Sequence, residues 1–235
     1  MSNGIVFHIS TMLFYKVCRQ FLAIDFFVMF VVMISEVFNI DCMEYMASLP
    51  DKFFDLAIVD PPYGIGVNQM NMGGRYTVRP DDRQWDKSVP DAPYFLELMR
   101  ISKNQIIWGG NYFDLPPSKC FIVWDKAETM YERDFAECEQ AWASFDKPAR
   151  MYKRNPNQPD RIHPTQKPVA LYKWLLKNYA KEGDKIFDSH MGSQSSRIAA
   201  YDIGFDYWGC ELDKDYFDAG CKRFEQHKAQ LKIFA

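Results

Sequence analysis

Residues 55–63 read DLAIVDPPY, and this stretch decides how the rest of the chain is interpreted. The apolar run Leu56–Val59 is typical of a buried strand. Pro61 and Pro62 then end the strand, because their rings fix φ and remove backbone donors. The strand thus brings a carboxylate, Asp60, and an aromatic ring, Tyr63, to one point. Taken alone, this tetrapeptide is also compatible with an ordinary turn.

Outward from this strand, apolar runs alternate with helical stretches. We predict strands over 37–41, 55–60, 105–108, 120–124, 185–188 and 207–211, and helices over 42–49, 94–101, 169–179, 195–203 and 214–230. Segment 136–145 fits a strand or a helix, with a strand favoured for its second half. Residues 64–93 and 146–167 show no regular pattern, which predicts two long irregular stretches. The alternation predicts an α/β fold, with a mostly parallel sheet and helices on both faces.

Composition limits the function classes. The chain has 235 residues and a formal net charge of -3, so it is not a generally basic nucleic-acid binder. Any contact with DNA must come from a local basic patch. The six cysteines form no Cys-x-x-Cys pair and the four histidines are scattered, so we expect no metal site.

The first 32 residues stand apart from this pattern. The apolar segment 21–34 has about 14 residues, against roughly 20 needed to span a bilayer, and Asp25 interrupts it. A signal peptide or anchor is therefore disfavoured, and we expect no membrane role. Another interpretation is that residues 1–32 are an extension outside the native coding sequence, with Met33 as the initiator. Residues 33–235 are then predicted to form a single domain.

Two further predicted strand ends carry polar groups. Asp188-Ser189-His190-Met191-Gly192-Ser193 runs from a strand through a turn into a helix, which allows a ligand to approach the backbone. Glu211 ends the next strand about 20 residues later, where an acidic group commonly binds ribose hydroxyls. Each feature alone has an ordinary structural explanation, but ligands of open α/β sheets bind at such carboxyl ends.

In this order, these segments resemble a family. They include NIDCMEYM at 39–46, DPPY at 60–63, HPTQKP at 163–168, FDSHMGS at 187–193 and YWGCELD at 207–213. The chain is similar over residues 33–235 to S-adenosylmethionine-dependent DNA amino-methyltransferases of the permuted β group, especially phage or prophage N6-adenine enzymes. The resemblance implies a Rossmann-like methyltransferase fold with a circularly permuted motif order. It also implies S-adenosylmethionine as cofactor and a location in the cytoplasm of a bacterial or phage-infected cell.

The resemblance also implies roles for residues at matching positions. The catalytic motif would be Asp60, Pro61, Pro62 and Tyr63. The cofactor would contact Asp41, His163, Thr165, Lys167, Asp188, Gly192, Ser193 and Glu211. The sequence departs from the common pattern at Ser189-His190 and at Gln194, where a second glycine is usual. Gln194 adds bulk at a position where the family pattern implies close approach to the cofactor.

The expected partner is double-stranded DNA with the target base flipped out of the stack. Loops 64–93 and 146–162 are the candidate DNA-contacting segments. Their expected phosphate contacts are Arg75, Arg79, Lys147, Arg150, Lys153, Arg154 and Arg161. A solvated basic face is the ordinary alternative for such a run. Dimerisation is common in the family, so a homodimer is also compatible with the resemblance.

The residues leave other functions open. Methylation of cytosine N4 uses closely analogous chemistry, although Asp60 at the first motif position favours adenine. A cofactor- or DNA-binding homologue without activity is a second alternative. A nicotinamide-dependent oxidoreductase is disfavoured, because no Gly-x-Gly-x-x-Gly follows the relevant strand.

Overall fold

The computed structural model describes residues 33–66, 88–132 and 136–230. Residues 1–32, most of the predicted loop 64–93, and with them Arg75 and Arg79, lie outside these ranges. The strands are β1 Ser35–Phe38, β2 Phe54–Val59, β3 Ser102–Trp108, β4 Phe121–Asp125, β5 Cys138–Ala143, β6 Arg150–Lys153, β7 Lys185–Asp188 and β8 Asp206–Cys210. The helices are α1 Cys42–Ala47, α2 Ala92–Ile101, α3 Val169–Tyr179, α4 Ser195–Ile203 and α5 Lys214–Ala229.

The strands form one eight-stranded sheet in the order β1-β8-β7-β2-β3-β5-β4-β6. Strand β5 runs antiparallel to both of its neighbours, and the other pairs are parallel. Strands β2 and β7 lie side by side at the centre of the sheet. The strand order reverses between them, because β3 follows β2 on one side and β8 follows β7 on the other. Such a reversal is the place where open α/β sheets bind ligands.

Alternation along β2 explains why both faces of the sheet are covered. Leu56 and Ile58 are buried with residues of α3 and α4, whereas Ala57 and Val59 are buried on the opposite face with residues of α1 and α2. A central parallel strand must be apolar on both faces. The predicted α/β fold, with a mostly parallel sheet and helices on both faces, is confirmed.

The prediction that residues 146–167 are irregular throughout is wrong, and the strand predicted over 37–41 lies earlier, at Ser35–Phe38. Residues 150–153, predicted as part of an irregular stretch, form β6, which pairs in parallel with β4. This strand lies at the edge of the sheet, where Met151 is 66% exposed. Because an edge strand buries little, it carries no apolar run that sequence inspection would detect.

Within the described ranges, the structure contains no helix with the length and apolar character that crossing a bilayer requires. The apolar segment 21–34 lies outside these ranges except for its last two residues.

Candidate active site

Parallel pairing brings the three polar strand ends to one edge of the sheet. Asp60 follows β2, Asp188 ends β7, and Glu211 follows β8. Strand β7 pairs with both β2 and β8, so these carboxylates lie at the ends of three adjacent strands. The sheet thus brings Asp60 close to Asp188, although more than 100 residues separate them in the sequence.

Asp60 and Tyr63 are joined by a hydrogen bond. The Tyr63 hydroxyl donates to Asp60 Oδ1 at 2.6 Å. Pro61 between them is buried, and Pro62 is half-buried. Two successive prolines restrict the backbone here, which fixes the carboxylate and the ring relative to each other.

Lys167 lies on the same carboxylate. Its Nζ is 2.5 Å from Asp60 Oδ2 and 3.0 Å from Glu139 Oε2, and its side chain is only 2% exposed. Lys126 holds the other oxygen of Glu139 at 2.8 Å. Lys167, expected to border the cofactor, thus contacts the predicted catalytic carboxylate directly.

Burial and charge act against each other in this cluster. Burial raises the pKa of Asp60, whereas Lys167 opposes that shift. For Glu139, burial favours the neutral form, but Lys167 and Lys126 outweigh it and lower the pKa to about 2. Burial disfavours the charged form of Lys167, but Asp60 and Glu139 raise its pKa. Glu139 and Lys167 are therefore ionised at neutral pH, while burial and the Lys167 charge act on Asp60 in opposite directions.

The ring of Tyr63 is held between backbone and a second aromatic ring. Tyr112 stacks on it with centroids 5.1 Å apart and an angle of 17° between the planes. A Cβ at Gly109 would come within 2.3 Å of the Tyr63 ring, and Gly109 has a φ of 73°. Only glycine fits this position, since it allows both the close approach and the left-handed backbone. Tyr112 itself is 43% exposed.

The carboxylates after β7 and β8 are held by neutral donors. Asp188 accepts hydrogen bonds from the Ser196 hydroxyl at 2.6 Å and from the His190 amide at 3.1 Å. Glu211 accepts from the amides of Gly192 and Asp213, each at 2.9 Å. Burial raises the pKa of Asp188 to about 7 and also raises that of Glu211.

The turn between β7 and α4 accommodates the unusual glutamine. Gln194 is fully buried and has a left-handed φ of 58°. Its Oε1 accepts from Arg197 at 3.0 Å, and its side chain packs against Gly220 of α5. A Cβ at Gly220 would lie 2.8 Å from Gln194 Cγ. The added bulk thus fills a space between two helices.

The segment 163–168 lies between the end of β2, where Asp60 is placed, and the turn that follows β7. While Lys167 reaches Asp60, the His163 ring lies close to Gly192 and packs on Tyr216 with centroids 4.3 Å apart. The Thr165 hydroxyl is 3.1 Å from His163 Nδ1. Burial, with the nearby Lys167 charge, lowers the pKa of His163 to about 3, so the imidazole is neutral.

Two other predicted residues are placed near this edge. Asp41 caps α1 by accepting from the Met43 amide at 2.7 Å. Ser193 is buried in the turn, and its hydroxyl lies 3.1 Å from that of Ser195.

The predicted DNA contacts in the described ranges form two pairs, and Arg161 stands apart from both. Lys147 and Arg150 both hydrogen-bond Asn178, at the end of α3. Lys153 forms an ion pair with Glu128, next to the exposed Arg154. Arg161 is half-buried. Strand β6 therefore carries basic side chains at both of its ends, which is compatible with phosphate contact.

Some residues of the site were not predicted from sequence. Glu139, Lys126 and Tyr112 stand out only when their contacts are known, because each lies in a polar or mixed segment typical of a surface strand or turn. Ser189, noted as a departure from the family pattern, is buried, and its hydroxyl lies 2.7 Å from that of Tyr94. The available signal was that QIIWGGNYF at 105–113, which includes Tyr112, and CEQAWASFDKPAR at 138–150, which includes Glu139, also resemble the family.

Comparison with known proteins finds similarity to DNA methylases. A family model described as DNA methylase (N6_N4_Mtase) matches residues 123–222. YubD of Escherichia coli (strain K12) is 26% identical over 200 residues, covering 78% of this chain and 87% of YubD. The Type II methyltransferase M2.DpnII of Streptococcus pneumoniae is 24% identical over 234 residues, covering 79% of this chain and 87% of the relative.

Solved structures give the same fold. The M1.HpyAVI–SAM complex is 21% identical, with a TM-score of 0.53 over 80% of this chain and 98% of that one. The PvuII DNA methyltransferase, which is cytosine-N4-specific, is 12% identical, with a TM-score of 0.53 over 86% and 89%. The chain therefore has the Rossmann-like fold of S-adenosylmethionine-dependent DNA methyltransferases, and the family-model match supports a DNA methyltransferase.

Proposed function

We propose that this protein transfers a methyl group from S-adenosylmethionine to the N6 amine of adenine in DNA, as an enzyme of the permuted group. The observation that carries the proposal is the position of Asp60 and Tyr63. They lie where the sheet reverses its strand order, next to the carboxylates of Asp188 and Glu211. The group proposed to accept hydrogens from the target base and the groups proposed to bind the cofactor thus lie at adjacent strand ends.

The residues present fit the cofactor. Both oxygens of Glu211 accept one amide hydrogen each, which leaves further lone pairs for ribose hydroxyls. Asp188 is a buried carboxylate held by neutral donors, so a positively charged ligand would stabilise its ionised form. When bound, S-adenosylmethionine supplies an electrophilic methyl group. His163, Thr165 and Gly192 would border it.

Asp60 and Tyr63 would act on the target amine. The adenine amine is a poor nucleophile, because its lone pair is delocalised into the ring. Acceptance of its two hydrogens by the Asp60 carboxylate and the Pro61 carbonyl favours a pyramidal nitrogen with an available lone pair. Positioning and electrostatics then lower the barrier. Tyr63 would stack on the flipped base in the place that the Tyr112 ring occupies in this structure.

DNA would lie across the basic side chains at the ends of β6. Lys147, Arg150, Lys153 and Arg154 are the described members of this surface. Each would contact a phosphate and release counterions, without reading sequence. The enzyme would act where bacterial or phage DNA is found, in the cytoplasm.

A second candidate function is methylation of cytosine N4. It is favoured by the structural likeness to the cytosine-N4-specific PvuII enzyme. An inactive cofactor- or DNA-binding homologue is a third candidate, which the intact set of Asp60, Pro61, Pro62 and Tyr63 disfavours.

Substitution of Asp60 tests the proposal. We expect Asp60→Ala to abolish transfer of labelled methyl groups into DNA, with cofactor affinity changed by less than about threefold, because Asp60 contacts the amine rather than the cofactor. Asp55→Asn, at the opposite end of β2, is the matched control and should keep its activity. Near-full activity of Asp60→Ala would refute the assignment.

Nucleoside analysis of the product separates the candidate functions. N6-methyladenine in DNA treated with the unaltered protein supports the proposal, and N4-methylcytosine supports the second candidate. The absence of any labelled base, from a protein that binds S-adenosylmethionine, would support the inactive homologue.

A further inference from the structure

Behind the predicted catalytic carboxylate lies an alternating chain of four charges. It runs from Lys126 to Glu139 at 2.8 Å, from Glu139 to Lys167 at 3.0 Å, and from Lys167 to Asp60 at 2.5 Å. The four residues come from four separate parts of the chain: after β4, on β5, before α3 and after β2. When all four groups are ionised, the two negative and the two positive charges cancel within this set of residues.

Lys167 is fixed by more than its ion pairs. Its Nζ lies 5.2 Å from the centroid of the Trp108 ring and 5.7 Å from that of Tyr63. Cation–π contacts of this kind hold an ammonium in place when it is removed from water. The lysine therefore cannot swing away to free Asp60 without losing several contacts.

A lone lysine here would harm the proposed chemistry. A cation 2.5 Å from Asp60 Oδ2 reduces the ability of that carboxylate to accept hydrogens from a substrate amine. It also repels positive charge on the amine nitrogen, which becomes cationic as its new bond to carbon forms and the bond from that carbon to sulfur breaks. The nitrogen then loses a proton to solvent. Some other group must offset the lysine charge throughout.

We propose that Glu139 is a positioning residue that shares Lys167 with Asp60, so that the lysine orders the catalytic carboxylate without neutralising it. Lys126 holds Glu139 in place and limits how strongly Glu139 draws on Lys167. The inference rests on the proposed methyl transfer. It gives β5, the strand inserted antiparallel beside β3, a part in the chemistry.

Several titratable groups face Asp60, and the pH dependence belongs to all of them. They are Tyr63, Tyr94, Glu139, Lys167, Tyr172 and Asp188. Among these, Glu139 raises the pKa of Asp60 and Lys167 lowers it. Removing the charge of Glu139 should therefore lower the pKa of Asp60, and removing that of Lys126 should act in the opposite direction.

Opposite shifts of the pH profile test the inference. In the full chain with saturating DNA and cofactor, Glu139→Gln should lower kcat by about tenfold or more and move the acid limb of the kcat profile to lower pH. Lys126→Met should move that limb to higher pH. The KM values for DNA and cofactor should change by less than about twofold, because neither residue contacts a substrate. Glu139→Asp, which keeps the charge, should recover part of kcat.

A purely structural role predicts a different result. Both substitutions would then lower activity together with thermal stability, and the acid limb would stay where it is; that outcome overturns the inference. If Glu139→Gln does not fold, the direction of the shift in Lys126→Met decides alone. Loss of the proposed function itself is distinguishable, because it would appear as inactivity of the unaltered protein or as full activity of Asp60→Ala.

Discussion

The two halves of the strand-end edge treat buried carboxylates in opposite ways. In the half around β2, Asp60 and Glu139 are paired with Lys167 and Lys126. In the half around β7 and β8, Asp188 and Glu211 form no ion pair within residues 33–66, 88–132 and 136–230. They rely on amide and hydroxyl donors instead. In the first half each carboxylate has an ammonium partner, whereas in the second half the carboxylates have none within the described residues.

Under the proposed function, this difference matches the ligand that each half would bind. A neutral amine binds best where the charges already cancel, since it offers no charge of its own. A ligand carrying a sulfonium and an ammonium group binds best beside carboxylates that lack a cation. Burial raises the pKa of Asp188 to about 7, and a cationic ligand beside it would reduce this cost of carrying the charge.

Removing the shared lysine should have the largest effect. Lys167→Met leaves Asp60 and Glu139 buried without their common partner, and we expect a loss of about 3–5 kcal/mol in the free energy of unfolding, together with loss of activity. Urea denaturation at pH 7 measures it. Lys103→Met removes a partner of Asp55 from an ion pair whose lysine is 55% exposed, and should cost less than about 1 kcal/mol.

Equal losses in the free energy of unfolding from Lys167→Met and Lys103→Met would contradict the description of the half around β2. The half around β2 would then contain no special buried charge balance, and the proposal for Glu139 would lose its basis.

Removing the charge of Asp188 should raise the free energy of unfolding at alkaline pH, the opposite of the effect expected for Lys167→Met. Because its pKa in the folded protein is raised above 3.8 to about 7, the folded state binds more protons than the unfolded state between these values. Its contribution to stability therefore falls as pH rises through this window. Asp188→Asn should remove that fall and be the more stable protein at pH 8, by at most about 4 kcal/mol. Urea denaturation at pH 5 and pH 8 measures the difference.

Cofactor binding supplies the second part of this prediction. Binding of S-adenosylmethionine should tighten as pH rises through 7 in the unaltered protein, since Asp188 then carries its charge, and this dependence should vanish in Asp188→Asn. Calorimetric titration at several pH values follows it. A variant that binds as tightly as the unaltered protein at pH 8 would contradict the assigned role of Asp188.

The sequence predicts one half of this edge better than the other, for a physical reason. Helix α4 and strand β7 have the bounds predicted for them, because apolar spacing and a Gly-containing turn are local signals. The charge balance around Asp60 depends on β5 and on the segment before α3, which are distant in sequence. Glu139 is a polar residue on a strand with mixed exposure, and only the paired sheet shows what it contacts.

Strand β6 was missed for a related reason. Its pairing partner β4 supplies the hydrogen bonds, while its own side chains remain largely exposed. Neither the edge strand nor the buried ion chain leaves a periodic pattern, since each is determined by neighbours from another part of the chain.

The smallest effect concerns Gln194, where the half around β7 and β8 departs from the family pattern. Gly220→Ala should gain about 1 kcal/mol of helix propensity but lose about 1–3 kcal/mol through the contact with Gln194, so the net result lies between no change and a loss of about 2 kcal/mol. In a Gln194→Gly background the contact is absent, and the same substitution should become stabilising by about 1 kcal/mol. Thermal or urea unfolding of the four proteins in this double-mutant cycle measures the reversal. Since the glutamine points toward α5, cofactor affinity should change by less than about threefold throughout; a tenfold change in an equally stable protein would mean that Gln194 reaches the cofactor and that this half is not built from Asp188 and Glu211 alone.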